Sequence, residues 1–99
     1  MIEIRGGILS RRWAPEILLA LEQPKRFNRI LERLEPCSDR MLSVRLRDLE
    51  EAGLLVRIVD AGPPVKVEYQ LTFAGERYLP VLKQLKAIEA RVDQEVAVG

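Results

Sequence analysis

Apolar residues recur at spacings of three and four over most of the chain, and in one stretch they alternate with polar ones. In "RRWAPEILLALEQ", Trp13, Ile17, Leu18 and Leu21 fall on one side of a helix turning about 100° per residue. A first helix is predicted from Arg12 to Glu22, with Pro15 and Glu16 suited to its first turn. Pro24 breaks the pattern and "NRILERLE" resumes it, with Ile30, Leu31 and Leu34 as the buried stripe. Asn28 is the predicted N-cap of this second helix and Pro36 its end. The turn "PCSD" leads to a third helix over 39–51, capped by Ser38 or Asp39 and closed by Gly53.

After Leu54 the period drops to two. "LLVRIVDA" and "VKVEYQLT" are rich in β-branched and aromatic residues and are separated by "GPP", which reads as a β-hairpin over 55–72. Val67, Tyr69 and Leu71 should face the core while Lys66, Glu68 and Gln70 face water. Thr72 then caps a final helix over 73–97, long but interrupted at Pro80. The predicted fold class is mainly α with a β-hairpin, in a single domain over 1–99.

The third helix has two distinct sides. Leu42, Leu46 and Leu49 form its core stripe, and Arg40, Ser43, Val44 and Arg47 lie opposite. Two guanidinium groups, a small hydroxyl and a small apolar group match a DNA major groove: bidentate donors for guanine, an adaptable hydroxyl, a methyl-sized contact for thymine. The helix follows its neighbour across a tight turn, as in a helix-turn-helix, and the hairpin brings Lys66 near the same groove or its phosphates. Ser38 and Arg29 are further candidates for phosphate. A net charge of +1 hides an asymmetry: residues 1–47 hold ten Lys/Arg against six Asp/Glu, and residues 48–99 hold six against nine.

Several chemistries are excluded or unsupported. The chain has no histidine, which removes His-based acid/base catalysis and His-containing metal sites. No paired carboxylates in a cleft and no activated nucleophile can be argued, so neither an enzyme nor a cofactor is expected. The single cysteine, Cys37, cannot close an internal disulfide and reads as a small buried hydrophobe in the turn. Met1 to Gly7 lacks the basic start and apolar core of a secretory signal, no apolar run approaches the roughly 20 residues of a membrane span, and a cytoplasmic location is expected.

"RRWAPEILLAL", "KRFNRIL", "RMLSVRLRDLEEAGLLVR" and "PPVKVEYQLTFAGERYL", in that order, resemble the HxlR-type branch of MarR-like winged-helix transcription regulators. The resemblance implies a homodimer on a pseudo-palindromic operator, with Arg40, Ser43 and Arg47 in a recognition helix, Lys66 in a wing, and the terminal helices at the dimer interface. Two features depart from the family. No cysteine precedes the first helix in "MIEIRGG", where many members carry a redox or electrophile sensor, and the late tryptophan is missing from "KQLKAIEARV".

The final helix supports a dimer by its own pattern. Val81, Leu85, Ile88, Val92 and Val96 recur at spacings of four, three, four and four, a stripe longer than one small core requires. Trp13, Phe27 and Tyr69 are read as packing residues. Arg11, Arg12, Lys25 and Arg26 are read as phosphate contacts, solvated charges or partners of nearby glutamates. A winged helix that serves as a protein-interaction module without binding DNA is the alternative.

Overall fold

A computed structural model describes residues 7–98, the backbone in full and the side chains through Glu95 and Val96. A 3₁₀ turn (Ile8–Ser10) leads into α1 (Ala14–Ala20), α2 (Phe27–Arg33) and α3 (Asp39–Glu51). A hairpin follows, β1 (Leu55–Asp60) and β2 (Lys66–Leu71), and then α4 (Phe73–Glu76) and α5 (Leu79–Val98). This is the mainly α arrangement with one hairpin and a long last helix. One core holds it together: Ile17, Leu18 and Leu21, Ile30 and Leu34, Leu42, Leu46 and Leu49, Leu54, Leu55, Leu71 and Leu82 are all buried in the same cluster.

Helix ends depart from the sequence reading where local backbone geometry overrides composition. The first helix begins at Ala14 because Trp13 sits in the left-handed region (φ 73°, ψ −9°), and it ends at Ala20. A bulky residue there costs roughly 1–2 kcal/mol, so the surrounding contacts must hold it. Asn28 is not an N-cap but lies inside α2. The cap is Arg26, extended at φ −78° and ψ 159° without a side-chain capping bond. The cause is one residue upstream: Lys25 exchanges two backbone hydrogen bonds with Tyr69 of β2 (3.0 and 2.8 Å), which straightens the chain into the helix start. Helix α2 stops at Arg33, short of Pro36.

Helix α3 follows its pattern closely. The Ser38 Oγ accepts from the Met41 N–H at 3.1 Å, and Asp39 occupies the first turn. Gly53, at φ 79°, lets the Leu54 N–H reach back to the Leu49 carbonyl at 3.0 Å, so the last turn is closed by a left-handed cap. In the hairpin, Leu55 pairs with Leu71, Arg57 with Tyr69 and Val59 with Val67. Val67 and Tyr69 are half-buried and Leu71 is buried, whereas Lys66, Glu68 and Gln70 are exposed, as alternation requires.

The region expected as one helix from 73 to 97 is two. Thr72 Oγ1 accepts from the Gly75 N–H (3.1 Å) and donates to the Gly53 carbonyl (2.6 Å), which pins α4 against the end of α3. A Cβ at Gly75 would stand 2.0 Å from the Leu54 carbonyl oxygen, so only glycine fits that approach. The chain then turns at Arg77 and Tyr78, and Pro80 falls in the first turn of α5, where it has no helical partner to lose. Beyond Leu82 every described side chain of α5 is exposed, and the molecule measures 57 × 33 × 22 Å.

Candidate nucleic-acid interface

Helix α3 separates two faces by angle. The core stripe of Leu42, Leu46 and Leu49 is buried to 2 % exposure or less. Arg40, Ser43, Val44 and Arg47 are all exposed on the other side, with Val44 as the single apolar member. None of these four side chains is tied to a neighbour by a hydrogen bond or ion pair among the described residues. They form one cationic face, free to meet a ligand.

The other predicted site residues lie outside that face, at the N-cap of α3, on α2 and in the hairpin. Ser38 is exposed, and its Oγ uses a lone pair for the α3 cap while its O–H stays available as a donor. Arg29, on α2, makes a loose pair with Glu32 at 3.4 Å, and both side chains are largely exposed, so a phosphate could displace the carboxylate at little cost. Lys66 opens β2 at the far end of the hairpin, opposite Asp60 in the register. The tip between them is shaped by Asp60, whose Oδ1 accepts from the Gly62 N–H at 3.1 Å, and by Gly62 at φ 71°.

The residue that the sequence reading passed over is Arg45. Its side chain is 11 % exposed, on the flank of α3 between core and outward face. Nε donates to the Arg12 carbonyl at 2.7 Å and Nη1 to Asp48 Oδ2 at 2.6 Å, while Nη2 lies 3.4 Å from the Met41 sulfur. The same Asp48 oxygen accepts an ion pair from Arg11 at 3.0 Å, and the Arg12 guanidinium stands 5.0 Å over the Trp13 ring. The signal was present in the spacing: Arg45 lies only about 60° from Leu42 around the helix. Arg11, for which the sequence left phosphate contact, solvation or pairing with a glutamate open, pairs instead with an aspartate, Asp48.

Cys37 is buried in the turn before α3. Burial pushes its thiol above the ordinary range, and the nearby Arg12 and Arg45 charges only partly oppose this. Its Sγ lies 3.6 Å from the Ser38 carbonyl. Such a thiol has little thiolate and poor access to oxidants. The sensor position before the first helix falls partly on residues 1–6, outside the described residues, and its sequence holds no cysteine.

Val81, Leu85, Ile88, Val92 and Val96 are 46–74 % exposed along α5. Among the described side chains of this helix Leu82 alone is fully buried, against α1. Beside it runs a groove of about 450 Å³ floored by Leu19, Ala20, Leu34 and Leu82 and edged by Arg33 and Glu89. Lys83 pairs with Glu22 at one end, and its bond and charge hold that exposed carboxyl below the usual range. Among the described residues there is no group of side chains arranged for a metal, and no helix is long and apolar enough to cross a membrane.

Comparisons with known proteins agree with this geometry. The profile of the HxlR-like helix-turn-helix family matches residues 8–96. The HTH-type transcriptional regulator YodB of Bacillus subtilis is 36% identical over 87 residues, covering 87% of this chain and 78% of that protein. An uncharacterized HTH-type regulator of the same organism, YvaP, is 39% identical over 79 residues, 79% of this chain and 73% of that one. The reduced form of YodB superposes with a TM-score of 0.72 at 36% identity, covering 81% of this chain and 79% of that structure.

Proposed function

The chain belongs to the HxlR-like helix-turn-helix family and is a transcriptional regulator of winged-helix type, and on that footing we propose that it binds double-stranded DNA sequence-specifically as a homodimer in the cytoplasm. Helix α3 enters the major groove. Arg47 and Arg40 donate to base edges or flanking phosphates, Ser43 supplies an adaptable hydroxyl and Val44 a contact for a thymine methyl. The hairpin lies along the backbone or minor groove with Lys66 near a phosphate, and Ser38 and Arg29 hold the strand that enters the groove. The observation that carries this reading is the exposed α3 face, two arginines, a hydroxyl and one small apolar group, opposite a fully buried leucine stripe.

The second half of the proposal is the second copy. The α5 strip of Val81, Leu85, Ile88, Val92 and Val96 leaves an apolar surface in water unless a partner covers it. A two-fold dimer sets two recognition helices about one DNA turn apart, roughly 34–36 Å, and so reads a pseudo-palindrome. A protein-docking module would instead present aromatic or large apolar anchors where α3 presents arginines. A mobility-shift assay with the region upstream of the protein's own gene tests the reading. A discrete complex resistant to excess random duplex supports it, and equal competition by random duplex refutes it.

A further inference from the structure

Arg45 is the one arginine of α3 that turns inward. Around the helix it lies about 160° from Arg47, so it cannot share a groove with the outward face. Its three donors instead reach three directions: the Arg12 carbonyl, the Asp48 carboxylate and the Met41 sulfur. Only a planar guanidinium fork can serve all three at once, since a lysine ammonium is a single point of charge.

The partner on the other side is equally particular. The Arg12 carbonyl belongs to the peptide that precedes Trp13, and the φ of Trp13, at 73°, fixes the plane of that peptide relative to α1. Relaxing Trp13 to a negative φ would turn the carbonyl away and break the bond to Arg45. Arg11 adds a second attachment through Asp48 at 3.0 Å. Two consecutive residues thus grip two residues one helical turn apart, and two attachments fix a direction where one would fix only a distance. Helix α5 packs on α1 through Leu82, so the same grip relates the direction of α3 to the α5 strip.

We infer that Arg45 is a positioning residue, which sets the tilt of α3 against α1 through the Arg12 carbonyl and Asp48 and so aims the outward arginines. The inference rests on the DNA-binding reading above.

The test compares Arg45→Met, which keeps an unbranched stem beside Met41 but has no donors, with Arg47→Ala and the wild type. In the DNA-free proteins, amide hydrogen exchange is read at Ala14 and Ile17, whose N–H groups bond to the Arg11 and Trp13 carbonyls. Both should exchange faster in Arg45→Met and at the wild-type rate in Arg47→Ala. Arg45→Met should also bind the operator about tenfold more weakly, the loss of roughly one bidentate contact, with affinity for random duplex unchanged. Arg45→Lys, which keeps the charge for Asp48, should fall between. Unchanged exchange at Ala14 and Ile17 overturns the link whatever the DNA results. Faster exchange with equal losses on operator and random duplex overturns the positioning role. If the wild type itself does not prefer an operator, the proposed function fails, and the exchange comparison still upholds or overturns the link.

Discussion

Helix α3 and the distal part of α5 are built on the same amphipathic period, yet only α3 finds its apolar partner inside the chain. Its leucine stripe is buried in the common core, with α1 and β1 packed on the helix, and what remains outside is mainly cationic and polar. Along α5 the stripe is apolar and outside, and among the described side chains only Leu79 and Leu82, in its first turn, reach the core. The two faces differ in the chemistry that would complement them. A face of arginines and a hydroxyl suits a polyanion with an edge pattern, whereas a strip of valines, leucine and isoleucine suits a like strip.

Substituting one member of each stripe gives the largest contrast. Leu42→Ala should lower the free energy of unfolding by about 2–5 kcal/mol at every protein concentration, because it opens a cavity in the core. Val92→Asp should leave the dilute chain within about 0.5 kcal/mol of wild type and lower the denaturation midpoint only where the chain associates. Urea unfolding at several protein concentrations separates the two. A concentration-independent loss in Val92→Asp would place that strip in the monomer's own core and break the comparison.

Smaller effects sharpen the outward face of α3. Arg47→Ala is expected to cost roughly 1–3 kcal/mol of operator affinity and to relax base preference at one position, measured by titrating duplexes substituted one base pair at a time. Lys66→Ala should weaken binding across all duplexes and reduce the salt slope by about one unit, as a phosphate contact does. A base-specific loss from Lys66→Ala would move the hairpin from backbone to base edges. The smallest expected effect is at Cys37: mild peroxide should leave DNA affinity unchanged and native thiol labelling should be slow, because burial keeps the thiol protonated. Fast labelling accompanied by release from DNA would make the turn before α3 a sensor.

How far the sequence could be read differs between these parts for physical reasons. Helix α3 was legible from cap to cap, since Ser38, the leucine stripe and Gly53 are local signals that tertiary contacts reinforce. The alternation of β2 was legible for the same reason. The start of α2 was not: Asn28 has the better capping side chain, but the bridge between Lys25 and Tyr69, 44 positions apart in the sequence, decides where the helix begins. Trp13 has a side chain suited to the first turn of a helix, and only the contacts around Arg12 explain its left-handed backbone. The last helix divides where Gly75 must approach Leu54, a contact that no spacing rule within 73–97 reveals. Within the candidate site, the outward residues follow from angle alone, whereas the role of Arg45 depends on what stands beside α3.

Sedimentation equilibrium of the full chain, alone and with a labelled operator duplex, bears on both faces at once. A protein mass near twice 11.3 kDa is expected at micromolar concentration. Two chains should bind each duplex, with both the association and the DNA affinity falling when residues 88–99 are deleted. A full chain that sediments at 11.3 kDa, and whose operator affinity is the same with and without residues 88–99, would contradict the dimeric reading.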